Sequence, residues 1–325
     1  MNGAEGLIQT LADGGVALCF ANPGTSEMHL VAALDRSARM RCVLGLFEGV
    51  VTGMADGYAR MTGEPAMTLL HLAPGLANAS ANLHNAKKAR SPMVNLVGDH
   101  ARRHLAFEAP LTGDVEGTAR PVSHRVRRAG DAASLAREGA LALADARGFP
   151  GRIATLVLPA DVAWEQGGGP ATVPAAAAPE LLDEAQVAAA ADALGAGDRA
   201  ALILGFRALA DPSTLRLAAA VAARTGAALL APTASPRTER GGGLPAVARI
   251  PYPVEEAVAA LAHFRAAVLV ETEEPVAFFA YPGQPSRVLP EACRVHALAR
   301  PGQCGLEAVA RLAARVGAGP QDVPE

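Results

Sequence analysis

Apolar residues fall along this chain in two rhythms: short unbroken runs, and longer stretches in which they return every three or four positions. The first predicts buried strands and the second amphipathic helices. Leu7, Ile8 and Leu11 share a helical face that Asp13-Gly14-Gly15 closes, ahead of a strand from Val16 to Ala21. Asn22-Pro-Gly-Thr-Ser-Glu27 is dense in turn formers and leads into a helix through Leu30, Val31 and Leu34. Arg41 to Leu46 reads as strand. Glu48 follows and opens a helix with Val50, Val51, Met54, Tyr58 and Met61 apolar and Gly63 as its stop. Ala66 to Leu70 is a strand ending on His71, and after Pro74-Gly75 a helix runs to Arg90, with Lys87, Lys88 and Arg90 at its negative end. A strand from Met93 to Val97, the charged loop Gly98 to His104, less regular sequence to Arg128, a helix from Ala132 to Arg147 and a strand from Ile153 to Leu158 complete this half.

A second series begins at Glu184: helix to Leu194, strand Ala201 to Leu204, helix Thr214 to Thr225, strand Ala227 to Leu230, helix Val254 to Phe264, strands Ala267 to Val270 and Arg294 to Leu298, helix Leu306 to Val316. Between the two series, Glu165 to Pro179 has neither periodicity nor bulk. The predicted fold class is α/β, with two doubly wound parallel-sheet domains, because apolar strands spaced by helices must be covered on both faces. Residues 1–164 form the first domain, 165–182 a linker and 183–325 the second. The tail from Gly317 is loose and polar.

Composition narrows the partners. With 325 residues, half of them hydrophobic, two cores can be filled. A net charge of −3 without any Lys/Arg block argues against nucleic acid, and no apolar run is long enough to span a bilayer. Four scattered cysteines, Cys19, Cys42, Cys293 and Cys304, with no C-x-x-C pair and no export signal, point to a cytoplasmic protein with reduced thiols.

The chemistry collects at one edge. A parallel sheet has a single carboxyl edge, so the loops Asn22 to Glu27, Phe47 to Gly49, His71 to Gly75 and Gly98 to His104 must crowd one rim. Singly each has a bland reading: Glu48 as a partner for a helix dipole, His71 as a core histidine, Thr25 or Ser26 as an N-cap, Asp99 to His104 as a solvated loop. Together on one rim they read as a site.

These same segments, Asn22-Pro-Gly-Thr-Ser-Glu27, Glu48 with Met54-Ala-Asp-Gly-Tyr-Ala-Arg60, and His71-Leu-Ala-Pro-Gly-Leu-Ala-Asn78, resemble the pyrimidine-binding domain of thiamine diphosphate enzymes, in the acetolactate synthase and benzoylformate decarboxylase branch. The second domain is similar to the family's central domain. The resemblance implies a 2-keto acid decarboxylase or carboligase, a lyase or transferase, in which Glu48 hydrogen-bonds the cofactor pyrimidine and favours its imino form, so that the thiazolium can add to a keto acid and serve as electron sink. It implies His71 as a substrate-protonating histidine, Thr25 as a hydroxyl at the substrate carboxylate and Ser26 as a further substrate-binding residue. Pro23, Gly24, Gly75, Asn78 and Glu48 are the implied cofactor contacts. Shielding of Glu48 is expected from Leu46, Phe47, Val50 and Val51.

Departures from the family are equally informative. The Gly-Asp-Gly and Asn-Asn elements that hold Mg²⁺ and the diphosphate are missing, Gly113-Asp114-Val115 being the nearest approach, so no metal ligand is assigned. The chain ends where the diphosphate-binding domain should begin, so the resemblance implies a truncated member or one subunit of a split enzyme. Thiamine diphosphate and Mg²⁺ would then be completed by a missing domain or a partner chain. FAD, held by acetolactate synthases, is disfavoured, because Leu204-Gly-Phe-Arg207 offers no Gly-rich phosphate loop. A homodimer, a tetramer or a separate diphosphate-domain chain is expected, packed through the helices Gly49 to Met61 and Leu76 to Lys88, where Gly53, Gly57, Ala77 and Ala81 permit close approach. The competing readings are a non-catalytic partner or remnant with the same fold, and a nucleotide-binding α/β protein, which lacks its motif.

Overall fold

A computed structural model describes residues 1–323, which divide into two compact units, the first ending at Ala178 and the second beginning at Pro179. Among the described residues each unit holds one all-parallel sheet with helices on both faces, as the apolar rhythm predicts.

In the first unit the chain runs α1 (Gly3–Asp13), β1 (Leu18–Asn22), α2 (Met28–Asp35), β2 (Arg41–Leu44), α3 (Glu48–Thr62), β3 (Ala66–Leu70), α4 (Leu72–Ala89), β4 (Met93–Asp99), α5 (Val115–Ala119), β5 (Arg125–Arg128), α6 (Ala132–Arg147), β6 (Ile153–Pro159) and α7 (Ala160–Trp164). Its sheet order is β2-β1-β3-β4-β6-β5. Side chains alternate between two cores: Cys19, Ala21, Met67, Leu69, Val94 and Leu96 face α1, α2 and α6, whereas Phe20, Ala66, Leu70, Met93 and Val97 face α3 and α4.

Strand β5 lies in the stretch expected to be irregular. Three of its four residues are arginines, which conceal a strand from hydrophobic patterning. It pairs on one side only, with β6, so its arginines can turn outward to ion-pair, Arg127 with Glu138 and Asp145 and Arg128 with Asp99. Part of the expected linker lies on this unit: Val173 packs against the α1 face, and the Ala171 N–H donates to Thr10 Oγ1 at 2.9 Å.

The second unit runs α8 (Glu184–Leu194), β7 (Ala200–Leu204), α9 (Phe206–Ala210), α10 (Pro212–Thr225), β8 (Ala228–Ala231), β9 (Ala248–Arg249), α11 (Val254–Leu261), β10 (Ala266–Val270), β11 (Arg294–Ala299) and α12 (Gly305–Val316), with sheet order β11-β10-β7-β8-β9. Leu202, Leu204, Val268 and Val270 face α8, α10 and α12; Ile203, Ala267 and Leu269 face α11. Among the described residues no helix is long and apolar enough to cross a membrane.

Candidate active site

Strand register sets the rim of the first unit. Asn22 pairs with Leu70, Ala21 with Leu44 and Leu70 with Val97, so β1 to β4 finish side by side and their following loops meet. The Asn22 side-chain amide donates to the Gly45 carbonyl at 2.7 Å and ties the ends of β1 and β2 together.

Glu48 is the first residue of α3, where the helix dipole favours a carboxylate, and it is only 7% exposed. The expected source of that burial is wrong in part. Leu46 is 88%, Phe47 48% and Val50 51% exposed; of the four apolar neighbours only Val51 is buried. The cover comes instead from the start of α4, which packs on α3. Asn78 Nδ2 donates to Glu48 Oε2 at 3.0 Å, and Gly75 lies against the other oxygen, so closely that a Cβ there would sit 2.9 Å from Oε1 and 3.4 Å from His71 Cβ. Gly75 therefore brings Glu48 and His71 to two sides of one small residue. Helix α4 begins at Leu72, before the expected Pro74-Gly75, and Leu72 adopts φ +53°, a left-handed conformation that costs a non-glycine residue on the order of 1 kcal/mol. That turn aims His71 at the rim.

His71 meets a residue that motif reading does not single out. Glu27 is fully buried, and its Oε2 lies 2.7 Å from His71 Nδ1. The same oxygen accepts from the Gly24 N–H at 2.8 Å, and Oε1 accepts from Ser26 Oγ at 2.8 Å. A buried carboxylate persists only with such donors. The fit is tight: a Cβ on Gly98 would fall 1.6 Å from Glu27 Oε1, and one on Gly24 2.2 Å from His71 Cε1. Because Nδ1 donates to Glu27 in this arrangement, Nε2 is the nitrogen His71 can offer outward. The signal for Glu27 was its place three residues after Gly24 in a strand-to-helix loop, the spacing of a capping box.

Of the two hydroxyls expected at substrate, Ser26 joins this network and lines an open pocket of about 520 Å³ with His100, Arg103, His104, Phe107 and Trp164. Thr25 is exposed at the rim, and Pro23 lies partly buried beside Gly24. Asp99 departs from the solvated loop expected of it: it ends β4, is buried and is ion-paired with Arg128. Arg102 fixes the loop beyond it through Asp161, with Nε to Oδ2 at 2.7 Å; burial raises the Asp161 pKa, but the guanidinium outweighs it and holds the group below the usual carboxylate range. Among the described residues no cluster of three or more His, Cys, Asp or Glu side chains could hold a metal ion.

The sequence comparison bears on this rim: residues 1–119 match the family described as "Thiamine pyrophosphate enzyme, N-terminal TPP binding domain". The chain is similar to thiamine diphosphate-dependent enzymes, and its homologues include proteins named acetolactate synthase large subunit and benzoylformate decarboxylase. It is 50% identical over 320 residues, 98% of its length, to a Mycobacterium tuberculosis protein provisionally named acetolactate synthase large subunit IlvX, and covers 61% of that relative. It is 40% identical over 97 residues to benzoylformate decarboxylase of Pseudomonas aeruginosa, a match covering 30% of this chain and 18% of that enzyme. The fold resembles the thiamine diphosphate-dependent 4-hydroxybenzoylformate decarboxylase of Rhodococcus jostii RHA1 with a TM-score of 0.81 at 23% identity, over all of this chain and 64% of the other. The chain thus spans about three-fifths of the length of its full-length relatives.

Proposed function

We propose that this chain supplies the pyrimidine side of a thiamine diphosphate site in a 2-keto acid decarboxylase or carboligase of the acetolactate synthase or benzoylformate decarboxylase kind. The observation that carries the reading is Glu48: one oxygen is tied to Asn78, and the other lies against Gly75, whose missing side chain permits that close approach and offers no donor of its own. Nothing in the fold requires a carboxylate at that point, whereas a heterocycle needing a shared proton does. Bound there, the cofactor would supply an electron sink for cleaving or forming a bond beside a keto carbon.

The chain's own residues do the rest. Glu48 orients the ring and holds a proton at Oε1, with Pro23, Gly24 and Gly75 as small, close-approach surfaces around it. His71, held by Glu27 through Nδ1, presents Nε2 for proton transfer to or from the substrate, and Ser26 and Thr25 offer hydroxyls to its carboxylate. The diphosphate and Mg²⁺ are assigned to protein outside these two units, a further domain or another chain, and FAD is left out. The rim supports such a cover: Leu44, Leu46, Phe47, Val50 and Phe107 are exposed around it, and Gly53, Gly57, Ala77 and Ala81 are exposed along α3 and α4. Cytoplasmic assembly as a homo-oligomer or with a partner chain completes the proposal.

The test compares thiamine with thiamine diphosphate plus Mg²⁺ by calorimetry on this chain. If the diphosphate is held elsewhere, the two bind weakly and within about threefold of each other, and Glu48→Gln weakens both. A strong preference for the diphosphate form would place a phosphate cradle within this chain and overturn the division. Binding of neither ligand, at any concentration, would favour the non-catalytic reading.

A further inference from the structure

We propose that Cys19 and Cys42 form a peroxide-responsive dithiol that closes to a reversible disulfide across the outermost strand pair of the first unit, β1 and β2. The two residues are direct partners in the parallel register of these strands. Neighbouring strands lie about 4.8 Å apart, and disulfides bridge Cα separations of roughly 4.4–6.8 Å, so the backbone already stands at bonding distance. Paired residues in adjacent strands direct their side chains to the same face, which here is the α1 and α2 side where Cys19 packs in the core.

Their environments assign different roles. Cys19 is fully buried; Cys42 is exposed on an edge strand. The neighbouring Cys19 thiol lowers the Cys42 pKa to about 7, although partial burial opposes the shift, while the Cys42 sulfur and burial push Cys19 well above the usual thiol range. Cys42 is therefore substantially thiolate at neutral pH and reachable, which are the requirements for a nucleophilic cysteine. Cys19 keeps its proton and stands behind it as the resolving thiol. Neither property is shared by Cys293, buried with a raised pKa in the second unit.

With hydrogen peroxide as oxidant the step balances. The Cys42 thiolate attacks one peroxide oxygen, the O–O bond breaks, and hydroxide leaves and is protonated to water. The Cys42 sulfenic acid is then attacked by Cys19 sulfur; the S–O bond breaks as the S–S bond forms, and the Cys19 proton leaves with the hydroxide as a second water. Two thiols are oxidised by two electrons and one peroxide is reduced to two waters. The bond would join the strands that deliver both halves of the rim, since β1 leads within three residues to Asn22 and β2 leads to Glu48.

The experiment is peroxide titration of the reduced chain, read by intact mass, free-thiol count and peptide mapping. The expected result is a fall from four free thiols to two, loss of two hydrogens, a mapped Cys19–Cys42 linkage and full reversal by dithiothreitol. Cys42 should react at least about tenfold faster than Cys304. Cys42→Ser should abolish the linkage, and Cys19→Ser or Cys19→Ala should leave a Cys42 sulfenic acid that dimedone captures. Four free thiols after excess peroxide, first oxidation at Cys304, or a Cys42–Cys42 bond between two chains would each overturn the proposal. The wild-type map decides it even if the buried Cys19 variants fail to fold.

Discussion

Each unit places a buried glutamate at the carboxyl edge of its sheet, and the two are treated oppositely. In the second unit Glu271 follows β10, is 2% exposed, and has both oxygens taken by backbone donors: Ala208 N to Oε2 at 2.9 Å and Gly305 N to Oε1 at 2.7 Å, at the starts of α9 and α12. Burial still raises its pKa above the usual value, against the pull of those N–H groups and of Arg207. In the first unit Glu48 has one side-chain donor, Asn78, and its other oxygen lies against Gly75, which has no side chain to donate. The closed carboxylate satisfies its own fold, and the open one is left to satisfy something else. Position on the rim alone does not distinguish structure from chemistry; the unspent hydrogen-bonding capacity does.

The comparison breaks first if Glu48 can be changed without consequence. In the assembled holoenzyme, Glu48→Gln should slow exchange of the bound cofactor's reactive proton by a factor on the order of 10²–10⁴, the usual worth of positioned acid/base catalysis. His71→Ala should leave that exchange nearly intact and depress keto-acid turnover over the same range. Equal loss of exchange in both variants would dissolve the assigned division of labour.

Glu27 and Glu271 sharpen the contrast between open and closed. Glu27→Gln removes the charge that orients His71, so turnover should fall about tenfold or more while proton exchange at the cofactor stays near wild type. Glu271→Ala should leave both readouts unchanged and cost stability instead, about 2–4 kcal/mol in chemical unfolding, because two buried N–H groups lose their acceptor. A Glu271 variant that unfolds like wild type would mean that water replaces the carboxylate easily, and the distinction would lose its second half.

What the sequence made legible follows from the same physics. Strands β3 and β6 announce themselves as apolar runs interrupted only by Thr68 and Thr155 because both faces are covered, and Glu48 is visible because a strand, an acid and a helix follow one another locally. Its cover was not visible. Leu46 and Phe47 look like shielding by proximity, yet the residues that enclose Glu48 are Gly75 and Asn78, reached only after a strand and a left-handed turn at Leu72. Glu27 hid for a related reason: its partner His71 and the clearance at Gly98 belong to other strands, so its burial is a product of register. Cys19 and Cys42 likewise become a pair only once β1 and β2 align around the intervening α2. Local chemistry is written in the chain, whereas burial and pairing are written in the sheet.

The smallest predicted effect concerns the opposite edge of the first unit, where a titratable group should behave as closed. His124 and Ile153 exchange two hydrogen bonds: the His124 N–H donates to the Ile153 carbonyl at 2.8 Å, and the Ile153 N–H donates to His124 Nδ1 at 2.9 Å. The second bond requires Nδ1 to be unprotonated. Burial, together with Lys87, Arg90 and Arg152 nearby, lowers the His124 pKa from 6.5 to about 4. Between those values the unfolded chain binds a proton that the fold refuses, so the contribution to stability is complete above about pH 6.5 and drains as pH falls toward 4. Partial exposure limits the loss to about 1–2 kcal/mol. Asparagine can accept from Ile153 without titrating, so unfolding midpoints of wild type and His124→Asn should converge, or cross, between pH 7.5 and 4.5. Parallel pH profiles for the two proteins would show that His124 is protonated within the fold, and that the edge away from the rim is as open as Glu48.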